Sequence, residues 1–169
     1  MQQPMQEKLD IKILILFILR RLPDAVDAET LADLALADGD VGYFEYAECL
    51  AELEDSGHLT RSGRFYAITE KGDRNCSIVE SSLPYSVRSR ALKRIAPVEE
   101  RMRRQAMITA RHTLDEKGCM VELAVADGKG EMIHLRLLCS GEEQARKMEK
   151  RFRKDAEAYY QKIVELLTE

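Results

Sequence analysis

Four basic side chains lie close together between residues 61 and 74, where they could bind a polyanion. Arg61 and Arg64 stand on either side of Ser62-Gly63, a dipeptide typical of a tight turn. An arginine at the tip of a projecting turn can pair with a phosphate or enter a minor groove. Lys71 and Arg74 follow and could hold further phosphates. The alternative is a solvated hairpin that binds no ligand.

Two tyrosines upstream, Tyr43 and Tyr46, could contact base edges, with Glu45 as an acceptor for cytosine. The alternative for Tyr46 is core packing. The same stretch carries five carboxylates and no base, which opposes DNA binding because Lys and Arg supply most of the non-specific affinity. Some of these acids must therefore point elsewhere. The five carboxylates are those of Glu45, Glu48, Glu52, Glu54 and Asp55.

No other group of side chains has a spacing that supports catalysis. The histidines are isolated in the sequence, and no serine or cysteine lies in a nucleophile motif. Gly128–Gly130 is too short for a phosphate loop, and the cysteines form no CxxC pair, so we expect no metal and reduced, buried thiols. The chain is predicted not to be an enzyme and to need no cofactor. The histidines and cysteines concerned are His58, His112, His134, Cys49, Cys76, Cys119 and Cys139.

The stretch that must position the basic residues runs from Tyr43 to Gly72. Apolar residues recur at helical spacing up to Leu53, and Gly57 follows where a left-handed residue can close a helix. Residues 58–61 and 64–69 are predicted to be short strands, and Thr69 can cap a helix that begins near Glu70.

The run Tyr66–Gly72, YAITEKG, resembles the segment that leaves the wing in bacterial winged-helix regulators of the PadR and MarR type. This resemblance implies that Tyr43–Gly72 is the second half of a winged helix-turn-helix domain and that the domain binds nucleic acid.

Leu9–Leu22 is predicted to be helix 1, with apolar residues nearly all the way round; the alternative is a β-branched strand. Such a helix must be covered on more than one side. Its own domain can cover one side, and the other is expected to need the second domain or another subunit. Asp27 can cap a second helix, which Asp38–Asp40 ends, and the Tyr43 helix would then be the recognition helix of a helix-turn-helix.

The charge of the chain is divided unequally between two segments. Residues 22–57 contain eleven acids and no Lys or Arg, whereas residues 81–111 contain eight bases and two acids. Residues 83–105 are predicted to form a helical basic connector, which Pro97 either kinks or restarts. The connector could hold DNA, or it could pair with the acidic segment within one chain or across a dimer.

Residues 106–169 are predicted to form a βββα domain. Three runs of alternating residues joined by short turns indicate an antiparallel meander with one buried face. Matching faces pairs Leu114 with Cys119 and His112 with Val121. If the second turn has three residues, Val125 opposes Ile133 and Cys119 opposes Cys139. A helix over residues 141–167 carries an apolar stripe that can cover the sheet. So small a sheet needs more cover, which favours a partner subunit.

The whole chain resembles an uncharacterised bacterial family with an N-terminal winged helix, a three-stranded sheet and a C-terminal helix. Ile11–Leu19, Tyr43–Gly72 and the three strands before a helix with Tyr159 and Tyr160 carry the resemblance. It implies a transcriptional regulator.

The combined prediction is an α+β protein with a winged-helix domain (1–82), a connector (83–105) and a βββα dimerisation or sensing domain (106–169). It would bind double-stranded DNA as a homodimer in the cytoplasm, since no apolar run is long enough to span a membrane and the N-terminal residues lack a signal-peptide cleavage pattern. A protein-interaction module that docks a basic partner on its acidic face is the rival. A third reading is a sensor with a small-molecule effector bound between the meander and the last helix. The predicted DNA-binding residues are Tyr43, Tyr46, Arg61, Arg64, Lys71 and Arg74.

Overall fold

The computed structural model describes residues 8–168, which form an α+β structure with seven α-helices and two antiparallel three-stranded sheets. Internal contacts divide the chain into two units, of which the first ends at Met102 and the second begins at Arg103. Residues 1–7 and 169 of the predicted domains lie outside the described residues. No helix within residues 8–168 combines the length and the apolar character needed to cross a membrane.

The first unit packs helices against a small sheet. Its elements in chain order are α1 (Lys8–Arg20), β1 (Val26–Asp27), α2 (Ala28–Leu36), α3 (Tyr43–Asp55), β2 (Leu59–Ser62), β3 (Phe65–Ile68), α4 (Glu70–Val79), a 3-10 turn (Glu80–Ser82) and α5 (Tyr85–Ala106). Asp27 caps α2, as expected, by accepting a hydrogen bond from the backbone nitrogen of Thr30 at 3.0 Å.

Helix α1 lies at the centre of the first core. Every side chain from Ile13 to Leu19 is buried, and Ile15 has no exposed surface. Side chains of α2, α3 and α4 belong to the same core, as do Val87, Ala91 and Ile95 of α5. The prediction that helix 1 needs the second domain or another subunit for cover is therefore wrong, because the first unit itself surrounds it.

The sheet of the first unit has the order β1-β3-β2, and β2 and β3 form a hairpin. Ser62 pairs with Phe65, so the turn is Gly63-Arg64 instead of the predicted Ser62-Gly63. Gly63 has a φ of +60°, which suits the first central position of a type II′ turn. Arg64 therefore lies within the turn, and only Arg61 lies in a strand beside it.

Helix α4 begins as predicted, since the Thr69 hydroxyl accepts a hydrogen bond from the backbone nitrogen of Gly72 at 3.1 Å. Gly72 is buried where α4 passes the chain that enters the hairpin. A Cβ on Gly72 would lie 2.2 Å from the carbonyl oxygen of His58 and 2.9 Å from Cγ1 of Ile68. The last residue of the YAITEKG run is thus a glycine because two backbones approach closely there.

The predicted connector corresponds to one helix, α5. Pro97 lies inside it and does not start a new helix. Because Val87, Ala91 and Ile95 are part of the first core, this stretch of α5 packs on the first unit.

The second unit is a meander covered by helices. Its elements are β4 (Ile108–Asp115), β5 (Gly118–Ala126), β6 (Glu131–Cys139), α6 (Glu142–Lys154) and α7 (Ala156–Thr168), with the sheet order β4-β5-β6. All four predicted pairs are confirmed, namely Leu114–Cys119, His112–Val121, Val125–Ile133 and Cys119–Cys139. The three-residue second turn is wrong, because Ala126 pairs with Glu131, and a register shift next to Val125 restores the predicted pairs.

The predicted single C-terminal helix is wrong, because two helices meet at Asp155. This residue has φ −153° and ψ 55°, outside the helical region, and aspartate is a residue type favoured immediately before a helix. Phe152 and Ala156 are buried against the sheet, whereas Leu166 is 74% exposed. The apolar stripe therefore covers the sheet only as far as the start of α7, and the domain is βββαα.

Candidate nucleic-acid interface

The end of α3 sets the position of the β2–β3 hairpin. Gly57 has a φ of +74° and donates its N–H to the Glu54 carbonyl at 3.0 Å, while His58 donates to Leu53 at 2.9 Å. These two bonds form a Schellman motif, which reverses the chain directly before β2. The prediction that Gly57 ends this helix is confirmed.

The hairpin presents Arg61 and Arg64 to solvent. Arg61 Nε donates to the Gly63 carbonyl at 2.9 Å, and its guanidinium lies 5.5 Å from the centre of the Tyr66 ring. The Arg64 guanidinium lies 5.3 Å from the centre of the Phe65 ring. These contacts orient both groups while their charge stays exposed, and neither forms an ion pair with a carboxylate among residues 8–168.

One acid lies near the hairpin. Hydrogen bonds from Thr30 hold the pKa of Asp27 below its usual value, and the charge of Arg64 adds to that effect. Asp27 is already engaged as the cap of α2, so it does not neutralise Arg64 by direct contact.

The two predicted tyrosines of α3 have opposite environments. Tyr43 is 64% exposed and could reach a ligand, whereas Tyr46 is only 4% exposed and packs in the first core. Burial raises the pKa of the Tyr46 phenol, whose oxygen has no hydrogen-bond partner in the described structure. The core alternative is correct for Tyr46, and this residue is therefore removed from the set of side chains that could touch DNA. Phe44, at 87% exposure, is the prominent exposed side chain that sequence reasoning missed.

Three of the five carboxylates on α3 are engaged within the first unit. Glu48 lies 2.5 Å from Lys8, and Glu52 lies 2.5 Å from Lys12. The hydrogen bond from Lys12 lowers the pKa of Glu52. Glu45 accepts from the backbone nitrogen of Gly42 at 3.3 Å, as in a capping box. Two lysines of α1 thus neutralise part of the negative charge of α3. These ion pairs were not predicted from the sequence.

Lys71 and Arg74 are exposed on α4 but already have partners. Lys71 Nζ donates to the Ser56 carbonyl at 2.6 Å, where it stabilises the end of α3. Arg74 lies 3.7 Å from Glu70 in an i,i+4 pair between highly exposed side chains, which is worth little and breaks easily. Arg74 is therefore the more available of the two for a phosphate.

The basic helix α5 is tied to the acidic segment inside one chain. Arg90 lies 3.0 Å from both Asp38 and Asp40, and Arg94 pairs with Asp38. The hydrogen bond from Arg94, followed by that from Arg90, lowers the pKa of Asp38. The intrachain alternative is thus confirmed for Arg90 and Arg94.

The histidines are not isolated in three dimensions. His58 lies 2.8 Å from both Ser56 Oγ and Asn75 Nδ2, and burial lowers its pKa. His112 lies 2.7 Å from Glu149, and His134 lies 2.8 Å from Glu122.

A cavity of about 400 Å³ lies in the first unit between α1, the end of α3 and α4. Its lining is mainly apolar and includes Leu9, Ile13, Leu16 and Ile78, with His58 among the polar groups. The predicted effector site, between the meander and the last helix, stays a prediction.

Comparison with known proteins places the chain in a family without assigning it a reaction or a ligand. Residues 11–167 match the family model described as Domain of unknown function (DUF4364). No curated protein and no solved structure matches the chain.

Proposed function

We propose that this chain, which belongs to the DUF4364 family, binds double-stranded DNA as a homodimeric transcriptional regulator. The element order α1-β1-α2-α3-β2-β3, with the sheet order β1-β3-β2, supports a winged helix whose wing is the β2–β3 hairpin. In this proposal α3 is the recognition helix and enters the major groove. A likeness to PadR-type and MarR-type regulators is part of the same proposal.

The observation that carries the proposal is the pair of exposed arginines at the hairpin. Arg61 and Arg64 are held by aromatic rings and backbone and have no carboxylate partner in the described chain. Several other arginines of the first unit, among them Arg20, Arg21, Arg90 and Arg94, form ion pairs. The hairpin therefore concentrates unneutralised positive charge at a projecting edge, as phosphate binding requires.

DNA binding is tested by fluorescence anisotropy on genomic duplex fragments across salt concentrations. We expect affinity to fall steeply between about 50 and 200 mM salt, and Arg61→Ala with Arg64→Ala to flatten the log–log salt slope by about 2. The matched control is Arg146→Ala with Lys147→Ala, which removes the same charge from exposed pairs in the second unit. A wild-type chain that binds no duplex at low salt would contradict the proposal.

A protein-docking function is the second candidate, and Phe44 favours it. This ring is 87% exposed near the start of α3, on a face shared with Ala47, Ala51 and the exposed carboxylates Glu48 and Asp55. An exposed aromatic side chain on a helix that carries acids and no bases suits a basic protein surface better than it suits phosphates. If Phe44→Ala leaves duplex affinity and its salt slope unchanged while the hairpin variant alters both, the docking face is separate from the DNA contact.

A further inference from the structure

The two edge strands of the second sheet differ in how well they are closed. At the β4 edge, Arg153 of α6 donates to the backbone carbonyl of Ala110 at 2.6 Å. The exposed side chains of β4 are mostly polar, among them Thr109, Arg111 and Thr113. At the β6 edge the described structure has no comparable cover. An open strand edge is a template for pairing with another chain.

The apolar side chains of β6 are less covered than those of its neighbour. Val121 and Leu123 of β5 are 0% and 5% exposed. Their partners across the ladder on the same face of the sheet are Leu137, which is 39% exposed, and Leu135, which is partly buried. On the opposite face, Met132 is 40% and Leu138 is 67% exposed. Both faces of β6 therefore lack cover along the outer edge.

The sequence of β6 is self-complementary about its central residue. An antiparallel pair centred on Leu135 places that residue against the partner's Leu135. It places Ile133 opposite the partner's Leu137, and it brings Met132, where the register of β6 against β5 shifts by one residue, next to the partner's Leu138. Opposite residues point to the same face, so apolar groups meet on both faces of the joined sheet. The polar pair, His134 with the partner's Arg136, lies beside Glu122, which contacts His134 at 2.8 Å.

We infer that two copies of this chain join edge to edge through β6, centred on Leu135, to make one continuous antiparallel sheet. This inference deepens the homodimer of the proposed function by assigning its surface and register. The occupant is a second copy because the strand complements itself, and the gain combines ladder hydrogen bonds with burial of Leu137 and Leu138.

Neighbouring registers that keep both sets of helices on one side of the sheet fit less well. Centring the pair on His134 sets Met132 against the partner's Arg136 and Glu131 against the partner's Leu137. Centring it on Arg136 brings two guanidinium groups together, which is unfavourable for charges directly opposite each other. The register is therefore specified by the side chains of β6.

An introduced cysteine tests the register directly. Residues opposite each other in an antiparallel ladder have Cα atoms about 5 Å apart, within the range of a disulfide. We expect Leu135→Cys to form a covalent dimer under mild oxidation. Leu137→Cys should not cross-link to itself, because the two copies of residue 137 are then displaced along the strand by about 13 Å. Equal cross-linking of both variants, or none with Leu135→Cys, would overturn the inference.

Charge at the edge tests the surface independently. By light scattering we expect the full-length wild type at twice the mass of one chain, and Met132→Lys with Leu138→Lys at the mass of one chain with unchanged circular dichroism. The control is Leu114→Lys, since Leu114 is 64% exposed on the other edge strand, and it should stay dimeric. A monomeric wild type, or a double variant that remains dimeric, would contradict the β6 interface. Neither cross-linking nor light scattering uses DNA. A failure of the β6 interface can therefore be distinguished from a failure of the proposed DNA binding.

Discussion

The central helix of the first unit and the outer elements of the second unit differ in how completely their apolar side chains are covered. In the first unit the most apolar helix, α1, is buried from Ile13 to Leu19. In the second unit Leu138 on β6 and Leu166 and Leu167 on α7 are 67%, 74% and 81% exposed. The difference teaches that the most apolar element marks the core of a domain, and that a search for a partner surface should begin with exposed apolar groups on otherwise polar elements.

The largest test of this comparison removes one side chain from each unit. Phe17 of α1 is 1% exposed, so Phe17→Ala should lower the free energy of unfolding by about 3–5 kcal/mol through lost burial and a cavity. Leu167→Ala, on an exposed side chain, should change it by about 0.5 kcal/mol or less. Urea unfolding followed by circular dichroism at fixed protein concentration measures both. Similar losses for the two variants would mean that α7 is covered as well as α1.

A smaller effect is expected where two backbones approach in the first unit. Gly72→Ala would bring a Cβ to 2.2 Å from the His58 carbonyl, so α4 must shift, at a cost of about 1–3 kcal/mol. The same change at Gly141, before α6, meets no atom within 4 Å and should cost about 0.5 kcal/mol or less. Thermal unfolding compares the two, and hydrogen exchange in α4 and the hairpin should increase only for Gly72→Ala. Equal effects would show that the close approach does not constrain α4.

The second sheet could be predicted in register because two physical constraints act there together. Side chains alternate with period two, and short turns fix which residues face each other, so pairs such as Cys119–Cys139 follow from the sequence. The break at Asp155 could not be predicted, because no proline or glycine marks it and the apolar stripe continues in phase through it. The predicted turn of the hairpin was one residue away from the observed turn, because Gly63 can occupy either central position of a tight turn.

In the first unit, prediction failed where the answer depended on packing between distant segments. The core that holds α1 includes residues of α5, far away in the sequence. The partners of Glu48 and Glu52 are Lys8 and Lys12 of another helix. The burial of Tyr46, by contrast, could have been found from helical phase, since it shares a face with Cys49, Leu50 and Leu53. Local pattern therefore locates the hairpin arginines, and only the fold shows which charges are already neutralised.

The smallest effect concerns a long-range ion-pair cluster in the first unit. The pKa of Asp38 is lowered in the folded state by Arg94 and Arg90, so the folded chain binds fewer protons than the unfolded chain near the ordinary aspartate pKa of about 3.9. Stability from this group is therefore present above that value and is lost as the pH falls through the lower, folded pKa. Asp38→Asn should cost about 1 kcal/mol at pH 7, because the side chains are only partly exposed, and should flatten the acid side of the stability profile.

The matched change in the second unit is Glu122→Gln. The hydrogen bond from Arg111 lowers the pKa of Glu122 in the same direction, but Arg111 is 67% exposed and water screens the pair. The stability profile should therefore change less with Glu122→Gln than with Asp38→Asn. Urea midpoints measured for both variants from pH 7 down to about pH 3 show which substitution changes the stability profile more. A larger loss for Glu122→Gln would mean that the second sheet depends more on its charged side chains than the loop held by α5 does. The contrast in cover between α1 and the outer elements of the second unit would then not extend to electrostatics.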